Sequence, residues 1–212
     1  MKLGIFGAGG LGREILMLAQ QINRSSRWDE IFFIDDVIDD AEVSGVPVYR
    51  FAQIDYGITE ISIAVGEPVA RQKLAEKILS KTCLATLIHP SVFIPPGSDI
   101  GVGAIICDRA FISCDVSVGD NTLVQPHCCL GHDTRLGAHS VVSSNVTLAG
   151  HCQVGDRVFI GMNCAVKENT TIGSDAIIGL GSAVFNDIPE ATIALGNPAR
   201  AMRKNEQRKV FK

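Results

Sequence analysis

Two groups of residues in this chain have types and spacings suited to chemistry. The first is Gly7-Ala8-Gly9-Gly10-Leu11-Gly12, a G-x-G-x-x-G run. Glycines there permit a tight turn and let backbone N–H groups approach an anionic ligand at a helix N-terminus. Asp35 and Asp36 follow at the end of the next apolar run, where a carboxylate would reach a ribose or base. Gly66 closes a third apolar run on the same predicted edge, so the three loops can converge. A glycine turn shaped only by close packing explains the loop equally well, and the acidic pair tips the reading towards binding. The second group is His132 with Asp133 beside it and Gly150 further along the chain. A turn histidine next to a carboxylate is suited to act as an oriented general base. Gly150 falls one structural repeat beyond His132, as the period described below shows. A glycine there would let a thioester approach the backbone and would offer an N–H to a developing oxyanion.

The elements that must position these groups change character near residue 90. Before it, short apolar runs (2–6, 31–34, 61–65, 84–88) alternate with helical stretches (12–22, 68–79), which predicts βαβ units and a parallel sheet. After it, a six-residue period takes over. Fifteen consecutive positions from Ile100 to Val184, stepped by six, are all aliphatic. The next residue is Gly in eight hexads: Gly101, Gly119, Gly131, Gly137, Gly155, Gly161, Gly173 and Gly179. Four residues after each aliphatic stands a small or short β-branched residue, from Ala104 to Ser182. Neither an amphipathic helix nor a hairpin sheet repeats in this way; a β-solenoid of hexapeptides does. Three hexads make one triangular coil, giving about five coils. The glycines are expected at turns for their dihedral freedom. The expected division is an α/β domain at 1–88, half of a Rossmann-like fold with a parallel sheet, and a parallel β-helix of hexapeptide repeats at 89–212. The first part is short for a full dinucleotide site, so a nucleotide carrying something else, such as a sugar, fits it better.

Composition narrows the field. Of 212 residues, 46% are hydrophobic and 20% charged, with net charge −4, which argues for a folded protein. No basic excess exists to neutralise phosphates, so nucleic acid is not expected as a partner. No apolar run approaches the ~20 residues of a membrane span, and the first residues run into a predicted strand, so neither membrane insertion nor a leader is expected. The seven Cys form no CxxC pair, which suggests free thiols and a cytoplasmic location. Cys128, Cys152 and Cys164 fall in the small inward phase, whereas Cys107, Cys114 and Cys129 do not. The remaining solenoid histidines, His127, His139 and His151, are expected to be solvated turn residues. A zinc site would need three converging ligands, and His127, His132 and His151 share no evident edge, so no metal is expected.

The glycine loop, Phe33-Ile34-Asp35-Asp36, Gly66 with Arg71, Ile88-His89-Pro90-Ser91, Gly131-His132-Asp133, Thr147-Leu148-Ala149-Gly150 and Gly196-Asn197-Pro198-Ala199-Arg200 together resemble the NeuD/PglD-type sugar acetyltransferases. That resemblance implies a left-handed β-helix and acetyl-CoA as acyl donor. It also implies acetyl transfer to the amino group of a UDP- or dTDP-linked 4-amino sugar in surface glycan biosynthesis. A homotrimer with acetyl-CoA between adjacent solenoids is implied as well. By the same resemblance His132 matches the general base and Asp133 the acid that tunes it. Gly150, Met162 and Leu180 match acetyl-CoA contacts, and Gly9, Gly10, Leu11, Asp35, Asp36 and Gly66 the nucleotide-sugar pocket. The family often carries a second His a short way after the base; here that position is Val141. Sugar O-acetylation, with sialic acid or a polysaccharide unit as acceptor, and a non-catalytic solenoid that binds nucleotide sugar are the alternative readings. The basic tail (Arg200, Arg203, Lys204, Arg208, Lys209, Lys212) reads as a solvated cap or as a partner of CoA phosphates.

Overall fold

The computed structural model describes residues 1–211; Lys212, the last cation of the tail, lies outside the described residues. The N-terminal part holds β1 (Lys2–Phe6), α1 (Gly10–Ile22), β2 (Glu30–Ile34), β3 (Glu42–Val43), β4 (Val46–Tyr49), β5 (Thr59–Ile63) and α2 (Pro68–Leu79). The strands form one sheet in the order β3-β4-β2-β1-β5, parallel except for the β3–β4 hairpin. Helix α1 buries Ile15, Leu16, Leu18 and Ala19 on one face, the i, i+3, i+4 spacing of an amphipathic helix. Helix α2 begins with Pro68, whose fixed φ suits a first turn that needs no donor. The hairpin is absent from the sequence reading. Its two-residue turn, Ser44-Gly45, has φ of 53° and 75°, the doubly positive geometry that a tight hairpin requires.

The apolar run at 84–88 is not one strand. Leu84 bridges to Ile61 in the N-terminal sheet, whereas β6 (Leu87–Ile88) pairs with Ile105 and Ile106. The chain crosses from one sheet to the other within Ala85 and Thr86.

The solenoid contains fifteen two-residue strands at six-residue intervals, β7 (Asp99–Ile100) through β21 (Ala183–Val184). Each strand pairs in parallel with the strand three hexads away, which gives three faces five strands deep. The first face starts at β7 (Asp99–Ile100), the second at β8 (Ile105–Ile106) and the third at β9 (Phe111–Ile112). The second face is extended by β6, β22 (Thr192–Gly196) and the antiparallel β23 (Ala199–Lys204). All but Ile100 of the fifteen aliphatics are buried, as is the whole small phase from Ala104 to Ser182. These residues make one continuous core, with Cys128, Cys152 and Cys164 as filler.

The reason for the eight glycines differs from expectation. None has positive φ; that conformation falls two residues later, at every sixth position from Gly103 to Gly181. Asn, Asp, His and Gly fill twelve of those fourteen turns, with Arg109 and Arg157 the exceptions, in keeping with their tolerance of the left-handed region. The eight glycines are instead forced by coil stacking. A Cβ on Gly119 would stand 2.6 Å from the amide nitrogen of Ala138, and one on Gly131 would stand 2.7 Å from that of Gly150. We therefore expect Gly119→Ala to lose roughly 1–3 kcal/mol through overpacking. Gly181→Asn should be nearly neutral, since φ there is 67° and a Cβ would meet nothing within 4 Å. Urea denaturation of both variants decides the point; equal losses would overturn the stacking explanation.

The N-terminal part docks on the second face. Ile105, Leu123, Val141 and Phe159 project outward there and join the core of the N-terminal sheet. Arg71, on α2, is fully buried at this junction. Its guanidinium donates to the carbonyls of Ile63 (2.6 Å), Val65 (3.0 Å) and Asn121 (2.7 and 2.9 Å) and to Asn121 Oδ1 (2.7 Å).

Candidate active site

The corner between the third and first faces carries His132, Asp133 and Gly150. Asp133 occupies the left-handed turn position, with φ 58°, and this conformation turns its side chain back to the preceding residue. His132 Nδ1 lies 2.8 Å from Asp133 Oδ2. An ionised carboxylate only accepts, so Nδ1 is the protonated nitrogen and Nε2 keeps a free lone pair. The His132 hydrogen bond, joined by the nearby charge of His151, holds the Asp133 carboxyl below the usual carboxylate range. Gly150 sits one coil on, directly against the ring. A Cβ there would come 2.5 Å from both Nε2 and Cε1 of His132, so only glycine leaves the ring this position. Ala149 and His151 spend their N–H groups on Val166 and His132 carbonyls, whereas the Gly150 N–H donates to no group among the described residues.

His151 belongs to the same corner, contrary to the expectation that these histidines share no edge. Its ring meets that of His132 edge-on, with centroids 4.9 Å apart, and its Nε2 lies 3.7 Å from Asp133 Oδ2. The reason is in the spacing: Asp133 and His151 are three hexads apart and occupy the same turn position on consecutive coils. His127 lies instead over Arg109 at the corner between the second and third faces, where its N–H donates to the Asp108 carbonyl at 3.1 Å. His139 is half-buried at the domain junction rather than solvated, and Asn121 Nδ2 lies 3.1 Å from its Nδ1. Burial, then the nearby charge of Arg71, lowers its pKa.

Met162 and Leu180 occupy the corner between the second and third faces, one coil apart, linked by the Gly181 N–H donating to the Met162 carbonyl at 2.8 Å. Both are exposed, at 51% and 75%. They border a largely apolar cavity of about 700 Å³ together with Gly10, Leu11, Gly66 and Phe159. Thus the glycine loop, Gly66 and two of the three expected acetyl-CoA contacts converge. Gly150 does not join them: it is across the third face, with His132. Val141, at the position of the family's second His, lines the same cavity. Sequence reading missed Gln125 and Ser143, which also line it. Their signal was available, since both immediately follow an aliphatic and stand three hexads apart.

At the glycine loop, α1 starts at Gly10 with Gly9 as an N-cap that makes no side-chain bond. A Cβ on Gly9 or Gly10 would meet nothing within 4 Å, so the mouth of the helix is open. Asp35 is half-buried and turned inward. Its Oδ2 accepts from the Ala8 N–H at 3.0 Å, and its Oδ1 accepts from those of Val37 and Ile38. Burial pushes its carboxyl up, but these three N–H groups outweigh that and hold it below its ordinary value. Asp36 is exposed, accepts from the Phe51 N–H at 2.9 Å and pairs with Lys77 at 3.3 Å.

The other polar features are structural. Burial pushes the thiols of Cys107 and Cys128 up to about 12 and about 11, which leaves them protonated and inert. In the tail, Arg208 pairs with Asp175 and Glu190, while Glu67 accepts from the N–H groups of Val210 and Phe211. Phe211 thereby reaches Phe159 at the cavity rim.

Residues 2–78 match the family model of the PglD N-terminal domain, and residues 151–186 match that of bacterial transferase hexapeptide repeats. Over 122 residues the chain is 34% identical to GDP-perosamine N-acetyltransferase of Escherichia coli O157:H7. That stretch covers 55% of each protein, so the match spans about half the length of this curated relative. The acetyltransferase domain of PglB from Neisseria gonorrhoeae superposes with a TM-score of 0.90 at 28% identity, over 95% of this chain and 99% of that one. The same domain in complex with acetyl coenzyme A gives 0.89 at 29% identity, over 95% and 98%. A variant of perosamine N-acetyltransferase from Caulobacter crescentus, in complex with CoA and GDP-perosamine, gives 0.76 at 27% identity, over 96% and 98%. The solenoid is the left-handed β-helix of this group, an exception to the usual right-handed crossover.

Proposed function

The chain belongs to the NeuD/PglD-type sugar acetyltransferases, and from that premise we propose that it transfers the acetyl group of acetyl-CoA to the amino group of a nucleotide-linked 4-amino sugar. The observation that carries this reading is the His132–Asp133–Gly150 corner. Asp133 fixes the tautomer, Nε2 of His132 is free to accept a proton, and the adjacent Gly150 N–H is unspent. His132 takes the proton of the attacking amine as its nitrogen bonds to the thioester carbon, which moves the carbonyl electron pair onto oxygen. A backbone N–H of this corner steadies that oxyanion until it collapses, re-forms the carbonyl, breaks the C–S bond and releases the CoA thiolate. The relatives solved with acetyl-CoA, CoA and GDP-perosamine support both the donor and the acceptor class.

Met162 and Leu180 would flank the pantetheine arm. Their N–H groups donate to nothing among the described residues, and their spacing of three hexads suits an extended chain that runs along the solenoid axis. Gly9, Gly10, Leu11 and Gly66 would receive the nucleotide sugar at the open end of α1, with Asp36 accessible at the loop and Asp35 shaping it. Acceptors of three bases enter the test, because the two perosamine N-acetyltransferases are named with GDP-perosamine whereas the family resemblance implies UDP or dTDP.

His132 and the Met162–Leu180 cavity sit on opposite edges of the third face, and a second copy of the chain would join them. That face presents Phe111, Cys129, Thr147, Ala165 and Ala183, whereas the first presents Asp99, Ser117, Arg135, Gln153 and Thr171. A homotrimer would cover the less polar face and bring His132 of one chain to its neighbour's cavity. A monomeric mass in solution would overturn that arrangement.

Thiol release from acetyl-CoA, measured over UDP-, dTDP- and GDP-linked 4-amino sugars, tests the whole reading. Turnover with one of these acceptors is expected. Turnover only with hydroxyl acceptors such as sialic acid would replace it with O-acetylation, and no turnover with any acceptor would favour a binding module.

A further inference from the structure

The corner that holds His132 has a second capacity that the transfer reaction does not use. His132, Asp133 and His151 each offer one ligand atom, and the three atoms lie within 4.8 Å of one another. Nδ1 of His132 and Nε2 of His151 stand 2.8 and 3.7 Å from the same carboxylate oxygen of Asp133. Two imidazole nitrogens and one carboxylate oxygen form the donor set of zinc-class ions, and a tetrahedral ion needs them about 3.3 Å apart. The backbone beneath is fixed: Asp133 and His151 both hold left-handed turn geometry, and the His151 N–H donates to the His132 carbonyl at 2.8 Å. All three side chains are well exposed, so small rotations are free to close the set, and solvent can supply a fourth ligand.

We propose that His132, Asp133 and His151 form a binding site for a divalent transition ion of the zinc class. The consequence for catalysis rests on the reading of His132 as the base. An ion on Nδ1 displaces the proton held there, and in the neutral ring that proton is then carried on Nε2. The imidazole has no lone pair left to accept a proton from the sugar amine, so an occupied site is a switched-off site.

Cobalt(II) is the probe, because tetrahedral coordination by nitrogen and oxygen gives visible absorption bands that need no turnover. Titration of the full chain is expected to develop these bands, and zinc is expected to bleach them. His151→Asn keeps a residue that accepts left-handed geometry and should weaken cobalt binding by at least about tenfold. Asp133→Asn should weaken it as well. Absence of bands at millimolar cobalt, or unchanged affinity in His151→Asn, overturns the site. Zinc inhibition of acetyl transfer, reversed by a chelator and lost in His151→Asn, supports both the site and the base. Cobalt and zinc bound through His151 with turnover undiminished would leave the metal site standing and would overturn the role given to His132.

Discussion

Replacing His132 with Ala is expected to lower kcat for the proposed acetyl transfer by about 10²–10⁴-fold and to leave acetyl-CoA affinity near that of the parent. The asymmetry follows from position. His132 stands at the corner between the third and first faces, whereas Met162, Leu180 and the cavity they border lie across the third face. In the proposed trimer His132 therefore meets the neighbour's thioester at the end of the binding cavity, and the substitution removes a proton acceptor and little of the binding surface. Its side chain is half exposed and contributes nothing to the solenoid core, so the melting temperature should stay put. Asp133→Asn separates the two parts of the role. An amide cannot hold Nδ1–H as a charge-assisted acceptor, so the ring loses its preferred tautomer while the proton acceptor is still present. Its loss should be smaller than that of His132→Ala and should fall on kcat rather than KM. Stopped assays of CoA thiol with the best acceptor measure both variants. Turnover near the parent rate in His132→Ala would remove it as the base.

The expectations that hold best are those that rest on period. Fifteen aliphatics at one spacing can be buried together in only one way, and the sheets follow from stacking every third strand. The same count misleads where only the inner phases are followed. Asp133 and His151 stand three hexads apart and have to be neighbours, yet a turn position taken alone looks like solvent. The stacking glycines look like dihedral freedom because a turn is visible in the sequence and the neighbouring coil is not. Convergence of Gly10, Leu11 and Gly66 with Met162 and Leu180 is legible only as a resemblance. Physically it depends on which solenoid face the N-terminal part covers. The outward residues of that face, Ile105, Leu123, Val141, Phe159 and Ile177, are uniformly large and apolar, while their counterparts on the first face are polar. That contrast needs the three faces to be separated before outward positions are compared. The Ser44-Gly45 hairpin escapes for a different reason: its strands are too short to show alternation, and only the turn chemistry marks them.

Arg71→Met should cost about 2–4 kcal/mol of stability, because three carbonyls of the buried junction lose their donor at roughly 1–3 kcal/mol each, offset in part by removal of the buried charge. Arg71 has no carboxylate partner within hydrogen-bond reach among the described residues; its charge is held by backbone carbonyls from two parts of the fold. Burial pulls its pKa down to about 9, which still leaves the guanidinium charged at neutral pH. Asn121 returns the contact by donating from Nδ2 to the Arg71 carbonyl at 3.0 Å, so helix α2 and the solenoid grip each other from both sides. Methionine fills the volume of the aliphatic stem and satisfies none of the carbonyls of Ile63, Val65 and Asn121. Each of these then loses its guanidinium donor in a water-excluded junction. Arg71→Lys keeps a charge but not the planar fork that reaches several acceptors at once, so it should fall between parent and Met. Because the junction is also one wall of the ligand cavity, partial undocking should raise KM for the nucleotide sugar in Arg71→Lys before kcat changes. Urea denaturation followed by Trp28 fluorescence reads the N-terminal part directly, since that ring is buried in its core. A parental midpoint in Arg71→Met would show that apolar contacts on the second face, and not the guanidinium, hold the two parts together.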